Sequence, residues 1–283
     1  MDEEALARYR QVEGPLGERL KAAIDLSGDT PHYRLVADER CPFLNASGLC
    51  DLIIHLGEES LCQICADHPR FRNFFADRTE IGLGLCCEAA GRLILSWRDR
   101  VKLIMLEDDG AEEALPEEDA LALAQRDALT AIAQKRSLPI EERVAQLADI
   151  CGTDVAEEDL PRWAAYMLTL ERLDEAWTAQ LELLRDAPAP ETKLPDEWAV
   201  HFEQLLVYFL YRHMPGALDD GDVQGRLAFA VLGWKIIRRL FLLQGEQTLD
   251  TLVETARLFS SEIEYSDENL SALLDTLDEG GLA

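Results

Sequence analysis

This sequence of 283 residues has few basic residues and no long hydrophobic run. Lys and Arg number 27 against 55 Asp and Glu, which gives a formal net charge of −28. Such a surface repels nucleic acid and anionic membranes and attracts basic partners, so we exclude nucleic-acid binding. No apolar stretch reaches the roughly 18 residues needed to span a bilayer, and the start, MDEEALARYRQ, is acidic where a signal peptide is basic. We therefore expect a cytoplasmic protein with no membrane partner.

Cysteine is nearly absent from the last two-thirds of the chain. Six of the seven cysteines lie between residues 41 and 87, and only Cys151 follows them. In a reducing compartment, clustered thiols indicate a metal site or redox chemistry rather than disulfides. Cys151 is typical of a buried core thiol. Cys62 and Cys65 match a redox CxxC pair, but the βαβ context of that motif is missing.

The spacing of the clustered cysteines limits the kinds of metal site. It is Cys41-x8-Cys50-x11-Cys62-x2-Cys65-x20-Cys86-Cys87. Soft thiolates bind Zn²⁺ tetrahedrally or hold an iron–sulfur cluster. The spacing matches neither a zinc ribbon nor a bacterial ferredoxin, and its irregularity favours a cluster, with zinc and structural thiols as the alternatives. His68, beside this region, is a candidate reserve ligand.

Helical periodicity dominates the rest of the chain. Residues 2–26 predict a helix broken near Gly14-Pro15, and Pro161 to Arg185 carries one apolar stripe at helical spacing. The proline-rich stretch DAPAPETKLP precedes four further amphipathic helices, while RFRNFFADRTEIGLGL indicates a β-hairpin and VKLIMLED a further strand. We predict a mainly α fold, in which a cysteine-rich unit with a short β-hairpin (residues 1–110) precedes a helical domain (residues 111–283).

Three stretches of the cysteine region resemble the flagellin lysine-N-methylase family. They are CPFLNASGLCDL, LGEESLCQICADHPRF and LGLCCEAAGRLIL. The resemblance continues in VYFLYRHMPGALDDGDV and SSEIEYSDENL, so it covers most of the chain. By this resemblance the metal ligands are Cys41, Cys50, Cys65 and Cys87, with Cys62 and Cys86 as possible substitutes. His68 and Glu88 stand where the family usually has Tyr and Pro, neither of which supplies a thiol.

The resemblance implies an activity, cofactors and a partner. The implied reaction is methyl transfer to lysines of flagellin with S-adenosylmethionine as the donor. For the metal group, a 4Fe-4S cluster is favoured over zinc. The family usually has a further Cys-x3-Cys-Cys motif and a Trp ahead of YRQVEGPLGERL, and this sequence starts downstream of that position. We expect a weakened metal site if that motif supplies ligands. The alternative function is a non-catalytic, metal-stabilised binding module with an acidic surface.

A catalytic base does not follow from the sequence. Lysine methylation needs a neutral amine that is aligned with the methyl donor. The segment EIGLGL is similar to an acidic, Gly-rich donor loop, but a hairpin strand is the simpler interpretation. His201 and His213 share a segment with Glu203, Tyr208 and Arg212. This polar group is more typical of a solvated helix edge than of a pocket.

Overall fold

The computed structural model describes residues 1–28, 30–37, 40–108, 110, 114–152, 155–190 and 193–282, and it confirms a mainly α protein. The helices are α1 (Glu3–Arg10), α2 (Gly14–Ala23), α3 (Asp51–Leu56), α4 (Gln63–Asp67), α5 (Glu88–Ser96), α6 (Glu117–Ala133), α7 (Ile140–Cys151), α8 (Leu160–Met167), α9 (Glu175–Asp186), α10 (Ala199–His213), α11 (Ala217–Asp220), α12 (Val223–Leu243), α13 (Leu249–Phe259) and α14 (Asp267–Asp278). Within the described ranges, no helix has the length and apolar character required for crossing a membrane.

The chain forms two compact units, Met1–His68 and Pro69–Ala283. The predicted division after residue 110 stays a prediction. Four of the clustered cysteines belong to the first unit, whereas Cys86 and Cys87 belong to the second.

The first unit begins with the two short helices that the sequence predicts. Asp2 caps α1 by accepting a hydrogen bond from the backbone N–H of Ala5 at 2.8 Å. The break before α2 lies at Gly14, whose φ of +74° suits glycine, and Pro15 follows in the first turn. A two-residue hairpin, β1 (Ile24–Asp25) with β2 (His32–Tyr33), follows α2. The core of this unit contains the side chains of Ala5, Tyr9, Leu20, Ala23, Phe43, Leu52 and Cys62.

The second unit begins with the predicted β-hairpin. Strands β3 (Arg70–Phe74) and β4 (Thr79–Leu83) pair antiparallel, with Arg70 opposite Leu83. A Cβ at Gly82 would lie 2.2 Å from the ring of Phe71, so the packing of this ring requires glycine. Glu80 is buried in an ion pair with Arg126 at 2.5 Å. The hairpin interpretation of EIGLGL is therefore confirmed.

The helical body is built around α12. Helices α7, α9, α10, α13 and α14 all pack against it, and its own residues are buried over most of its length. Most of the predicted stripe over Pro161 to Arg185 is buried, since Trp163, Met167, Trp177, Leu181 and Leu184 lie in the core. Leu173, which the stripe also includes, is exposed. Two helices carry the stripe, α8 and α9.

The break between α8 and α9 has a specific cause. The backbone N–H groups of Leu173 and Asp174 each donate to the buried carboxylate of Glu262 at 2.9 Å, which holds the connecting segment outside the helical path. Asp174 then caps α9 by accepting from the N–H of Ala176. The carboxylate that fixes this turn lies almost ninety residues further along the chain.

The predicted strand at residues 101–108 is wrong. This segment, VKLIMLED, forms no regular element, although its apolar residues favour a strand. Hydrogen bonds to the side chain of Gln134 fix its first residue, Val101.

Candidate functional site

Three of the clustered cysteines each stand directly before a helix. Cys50 precedes α3, Cys62 precedes α4 and Cys87 precedes α5. Cys50 also forms an isolated antiparallel bridge with Leu44, which closes the loop between these two residues. Cys41 and Cys50 both pack against the core of the first unit. The irregular spacing noted in the sequence thus results from thiols at loop ends and helix starts.

The closest pair of thiols is Cys62 and Cys65, whose Sγ atoms lie 3.5 Å apart. Cys62 is buried in the core of the first unit, while Cys65 is exposed on the first turn of α4. Because the two thiols share one hydrogen bond, the pKa of Cys62 falls to about 6 and that of Cys65 rises. Burial and the neighbouring thiols, including Cys41 and Cys50, raise the pKa of Cys65 further.

This pair fits two positions of a shared metal site. Sulfurs that share a tetrahedral metal lie about 4 Å apart, because each metal–sulfur bond is near 2.3 Å. Across the part of the chain that the structure describes, however, no group of three or more His, Cys, Asp or Glu side chains is arranged to hold a metal ion. The described side chains thus bring two thiols close together, and the ligand set Cys41, Cys50, Cys65 and Cys87 stays a prediction.

A second polar cluster lies in the second unit around the fully buried carboxylate of Glu264. Tyr208 donates its hydroxyl hydrogen to this carboxylate at 3.0 Å, and His213 Nε2 donates at 2.5 Å. Arg212 Nε lies 3.1 Å from the same carboxylate. The three partners lie on the C-terminal half of α10, and Glu264 ends a π-helical turn, Ser260–Glu264. Such turns are frequent at functional sites.

The electrostatics of this cluster keep its groups in fixed protonation states. Burial alone would raise the pKa of Glu264, but the bonds from His213 and the Arg212 charge outweigh it, so the pKa lies below its ordinary value. Burial lowers the pKa of His213 and raises that of Tyr208. An ionised Glu264 thus faces a neutral phenol, a neutral imidazole and a guanidinium. This network is too deeply buried to act on a substrate directly, and it fixes the residues around it.

The network reaches the surface through Tyr265. The guanidinium of Arg212 lies between two rings, 4.6 Å from the centre of Tyr265 and 5.0 Å from that of Phe71. Burial and a hydrogen bond with Cys86 raise the pKa of Tyr265 to about 12, so its hydroxyl stays neutral at physiological pH. The side chain of Tyr265 is nevertheless 43% exposed. It can therefore offer a neutral hydroxyl and a ring face to a ligand.

An acidic cleft lies next to Tyr265. Its volume is about 280 Å³, and it lies between the α8–α9 connection and the start of α14. Exposed carboxylates of Glu171, Asp267 and Glu268 line it, together with the buried Glu262. A cleft with these groups suits a cationic side chain of lysine size, because the carboxylates attract the ammonium group and the tyrosine ring packs against the alkyl chain.

The interpretation of the histidine-bearing segment as a solvated helix edge is wrong. His201 and His213 are both buried, and Glu203 is fully buried in ion pairs with Arg136 at 2.8 Å and Arg143 at 2.6 Å. His201 donates from Nδ1 to the carbonyl of Leu95 at 2.6 Å. The partners of this helix lie more than fifty residues away in sequence, so local spacing could not identify them.

The second unit is thus a helical domain that combines a buried carboxylate network with an acidic cleft. Residues 155–283 match the family model described as FliB lysine N-methylase C-terminal domain. Over these residues the chain is similar to the FliB lysine N-methylase family, which confirms the C-terminal part of the resemblance noted in the sequence. No curated protein and no solved structure matches the chain. Glu171, Tyr208, Arg212, Glu264 and Tyr265 all lie inside the matched residues.

The buried histidines predict an acid-sensitive second unit. Burial holds the pKa of His201 and His213 below the ordinary value of 6.5. The unfolded chain therefore takes up protons that the folded chain does not, so stability is complete above about pH 6.5 and falls as the pH drops below it. We expect the free energy of unfolding to be lower at about pH 5.5 than at about pH 7.5, and His201→Gln to reduce this difference.

Tryptophan fluorescence is a suitable measurement, because all five tryptophans lie in the second unit. The matched control is His32→Gln, since His32 is exposed and lies in the first unit. If the free energy of unfolding changed equally between the two pH values in wild type and in His201→Gln, His201 would not be a source of the acid sensitivity.

Proposed function

We propose that this protein transfers methyl groups to lysine side chains of flagellin in the cytoplasm, with S-adenosylmethionine as the donor. The observation that carries the proposal is the match of residues 155–283 to the FliB lysine N-methylase C-terminal domain. The net charge of −28 supports it, since a strongly acidic protein attracts a lysine-bearing substrate.

The acidic cleft of the second unit is our proposed binding place for the substrate lysine. The carboxylates of Glu171, Asp267 and Glu268 would attract the ammonium group, and the neutral hydroxyl of Tyr265 would accept a hydrogen bond from the amine. Arg212 and the Glu264 network would hold the ring of Tyr265 in place. S-adenosylmethionine, when bound, supplies an electrophilic methyl group, and these residues bind and orient the amine. Because carboxylates stabilise the ammonium form, the bound lysine would first release one proton to an exposed carboxylate of the cleft, which frees the nitrogen lone pair for methyl transfer.

We further propose that the clustered cysteines hold an iron–sulfur cluster in preference to zinc. The proposed ligands are Cys41, Cys50, Cys65 and Cys87, with Cys62 or Cys86 as substitutes. The 3.5 Å Cys62–Cys65 pair and the effect of Cys41 and Cys50 on the pKa of Cys65 support a concentration of thiols in the first unit. The group would stabilise the fold around its ligands, because metal binding energy contributes directly to folding.

The experiment that tests the proposal is a methyl-transfer assay on flagellin. The protein is reconstituted anaerobically with iron and sulfide and incubated with flagellin and S-adenosylmethionine labelled in the methyl group. We expect label on flagellin lysines and none on a flagellin whose amines were blocked beforehand. Unlabelled flagellin in the presence of a complete cluster would overturn the enzyme proposal.

The alternative is a metal-stabilised module that binds flagellin without modifying it. One observation favours it: the segment most similar to a donor loop, EIGLGL, is a hairpin strand in which Glu80 is paired with Arg126. Binding measured alongside methyl transfer separates the two functions. A module would bind flagellin in the absence of S-adenosylmethionine and transfer nothing in its presence.

The proposed role of Tyr265 predicts a rate defect for Tyr265→Phe. This change keeps the ring over Arg212 but removes the hydroxyl that would contact the amine, so we expect methyl transfer to fall about tenfold or more. The control is Tyr166→Phe, because the Tyr166 hydroxyl also makes a hydrogen bond, to Ala272 O at 3.2 Å, but does not line the cleft. Equal rates of methyl transfer for the two variants would show that the Tyr265 hydroxyl has no role in the reaction.

A further inference from the structure

Residues 101–108 form an exposed apolar segment. The side chains of Leu103, Ile104, Met105 and Leu106 are 48%, 67%, 78% and 74% exposed. Four consecutive apolar side chains at this exposure are unusual on a protein that otherwise carries a dense negative charge. The segment is anchored at its start, because Gln134 accepts from the N–H of Val101 at 2.6 Å and donates to its carbonyl at 3.2 Å.

The backbone of this segment is available for pairing. Within the described part of the chain, none of residues 102–107 forms a hydrogen bond to another backbone group. An apolar segment whose backbone N–H and C=O groups are not paired within the fold is a template for strand addition. In a strand, Leu103 and Met105 would lie on one face and Ile104 and Leu106 on the other, so both faces would be apolar.

The sequence of the segment is complementary to itself. In an antiparallel pair related by a twofold axis through Met105, Lys102 of each copy lies opposite Asp108 of the other, and Ile104 lies opposite Leu106. These four positions share one face of the resulting ribbon, which places two apolar pairs between two pairs of opposite charge. A twofold axis through Ile104 would instead place Arg100 opposite Asp108 and Lys102 opposite Leu106, so Lys102 would have no opposite charge as its partner.

We propose that residues 101–108 form an antiparallel two-stranded ribbon with a second copy of this chain, centred on Met105. We choose a second copy as the partner because both the charges and the apolar residues of the segment match when the segment pairs with itself. The interface is isologous, so each copy contributes the same segment and the assembly closes at two chains. This inference is independent of the proposed methyl transfer and of the metal site.

A charge-exchange experiment on the full chain tests the register. Lys102→Asp places two carboxylates opposite each other in both pairs of a homodimer, and Asp108→Lys places two ammonium groups there. Sedimentation equilibrium should show a wild-type dimer at about 100 µM and, for each variant alone, a dissociation constant raised about tenfold or more. An equimolar mixture of the two variants should recover the wild-type affinity, because every pair is then opposite in charge.

The controls change exposed charges outside the segment. Lys135→Asp and Glu182→Lys make the same net charge changes and should leave the dissociation constant unaltered. Asp108 Oδ1 accepts from the N–H of Gly110 at 3.0 Å, so circular dichroism of each variant must match wild type. A monomeric wild-type protein at this concentration would overturn the proposal. A dimer that neither substitution weakens, or a mixture that does not recover, would also overturn it.

Discussion

Replacement of Glu264 by Gln is expected to lower the free energy of unfolding of the second unit by about 3–5 kcal/mol. The carboxylate is fully buried and receives hydrogen bonds from Tyr208 and His213, with Arg212 also within ion-pair distance. An amide of the same shape keeps the packing but leaves the mostly buried guanidinium of Arg212 without its counter-charge. Removal of one partner of a buried ion pair has a large effect because the other charge stays out of water.

The matched control for this variant is Glu182→Gln, on the exposed surface of α9. Surface substitutions of this type change stability by no more than about 0.5 kcal/mol. Urea unfolding followed by tryptophan fluorescence reports on the second unit for both variants. A Glu264→Gln protein as stable as Glu182→Gln would show that the network contributes little, and it would remove the support that we assign to Tyr265.

Replacement of Cys65 by Ser is expected to abolish stoichiometric metal binding. Cys65 is a predicted ligand, its Sγ lies 3.5 Å from that of Cys62, and it is exposed, so its substitution leaves the core unaltered. A serine hydroxyl is a harder and less acidic ligand than a thiolate and does not replace it in a zinc or iron–sulfur site. Iron, sulfide and zinc measured per chain after anaerobic reconstitution give the result directly.

The control for the metal measurement is Cys151→Ser. Cys151 is buried in the second unit, where its thiol donates to the carbonyl of Ala148 at 3.1 Å, and it belongs to neither the predicted ligands nor their substitutes. We expect Cys151→Ser to retain its metal. Equal metal content in Cys65→Ser and wild type would exclude Cys65 as a ligand. Loss of metal in Cys87→Ser as well would support the predicted ligand set, which includes Cys87. It would argue against a ligand set made only of cysteines from the first unit.

Local signals in the sequence were sufficient for most of the helices and for the main hairpin. Gly14 and Pro15 mark the α1–α2 break because a positive φ and a missing N–H act on their immediate neighbours. The β3–β4 hairpin follows from branched and aromatic residues on both sides of Ala76-Asp77. The apolar stripe of α8 and α9 follows from periodicity, because burial of one face dictates the spacing.

Features that depend on distant residues could not be predicted in this way. The α8–α9 break depends on Glu262, and the burial of His213 depends on Glu264, which lies fifty-one residues along the chain. A polar residue on a helix has the same spacing whether its partner is water or a buried carboxylate. At residues 101–108 strand propensity was present, but a strand also needs a partner for its backbone.

The most direct test of the account is a peptide map of flagellin after incubation with the reconstituted protein and S-adenosylmethionine. We predict methyl groups on lysine side chains, with a strongly reduced yield for Tyr265→Phe and an unchanged yield for Tyr166→Phe. Mass spectrometry of the digested flagellin identifies each modified lysine. Unmodified lysines after incubation with a folded, metal-loaded protein that binds flagellin would contradict the central claim and leave the binding module as the function.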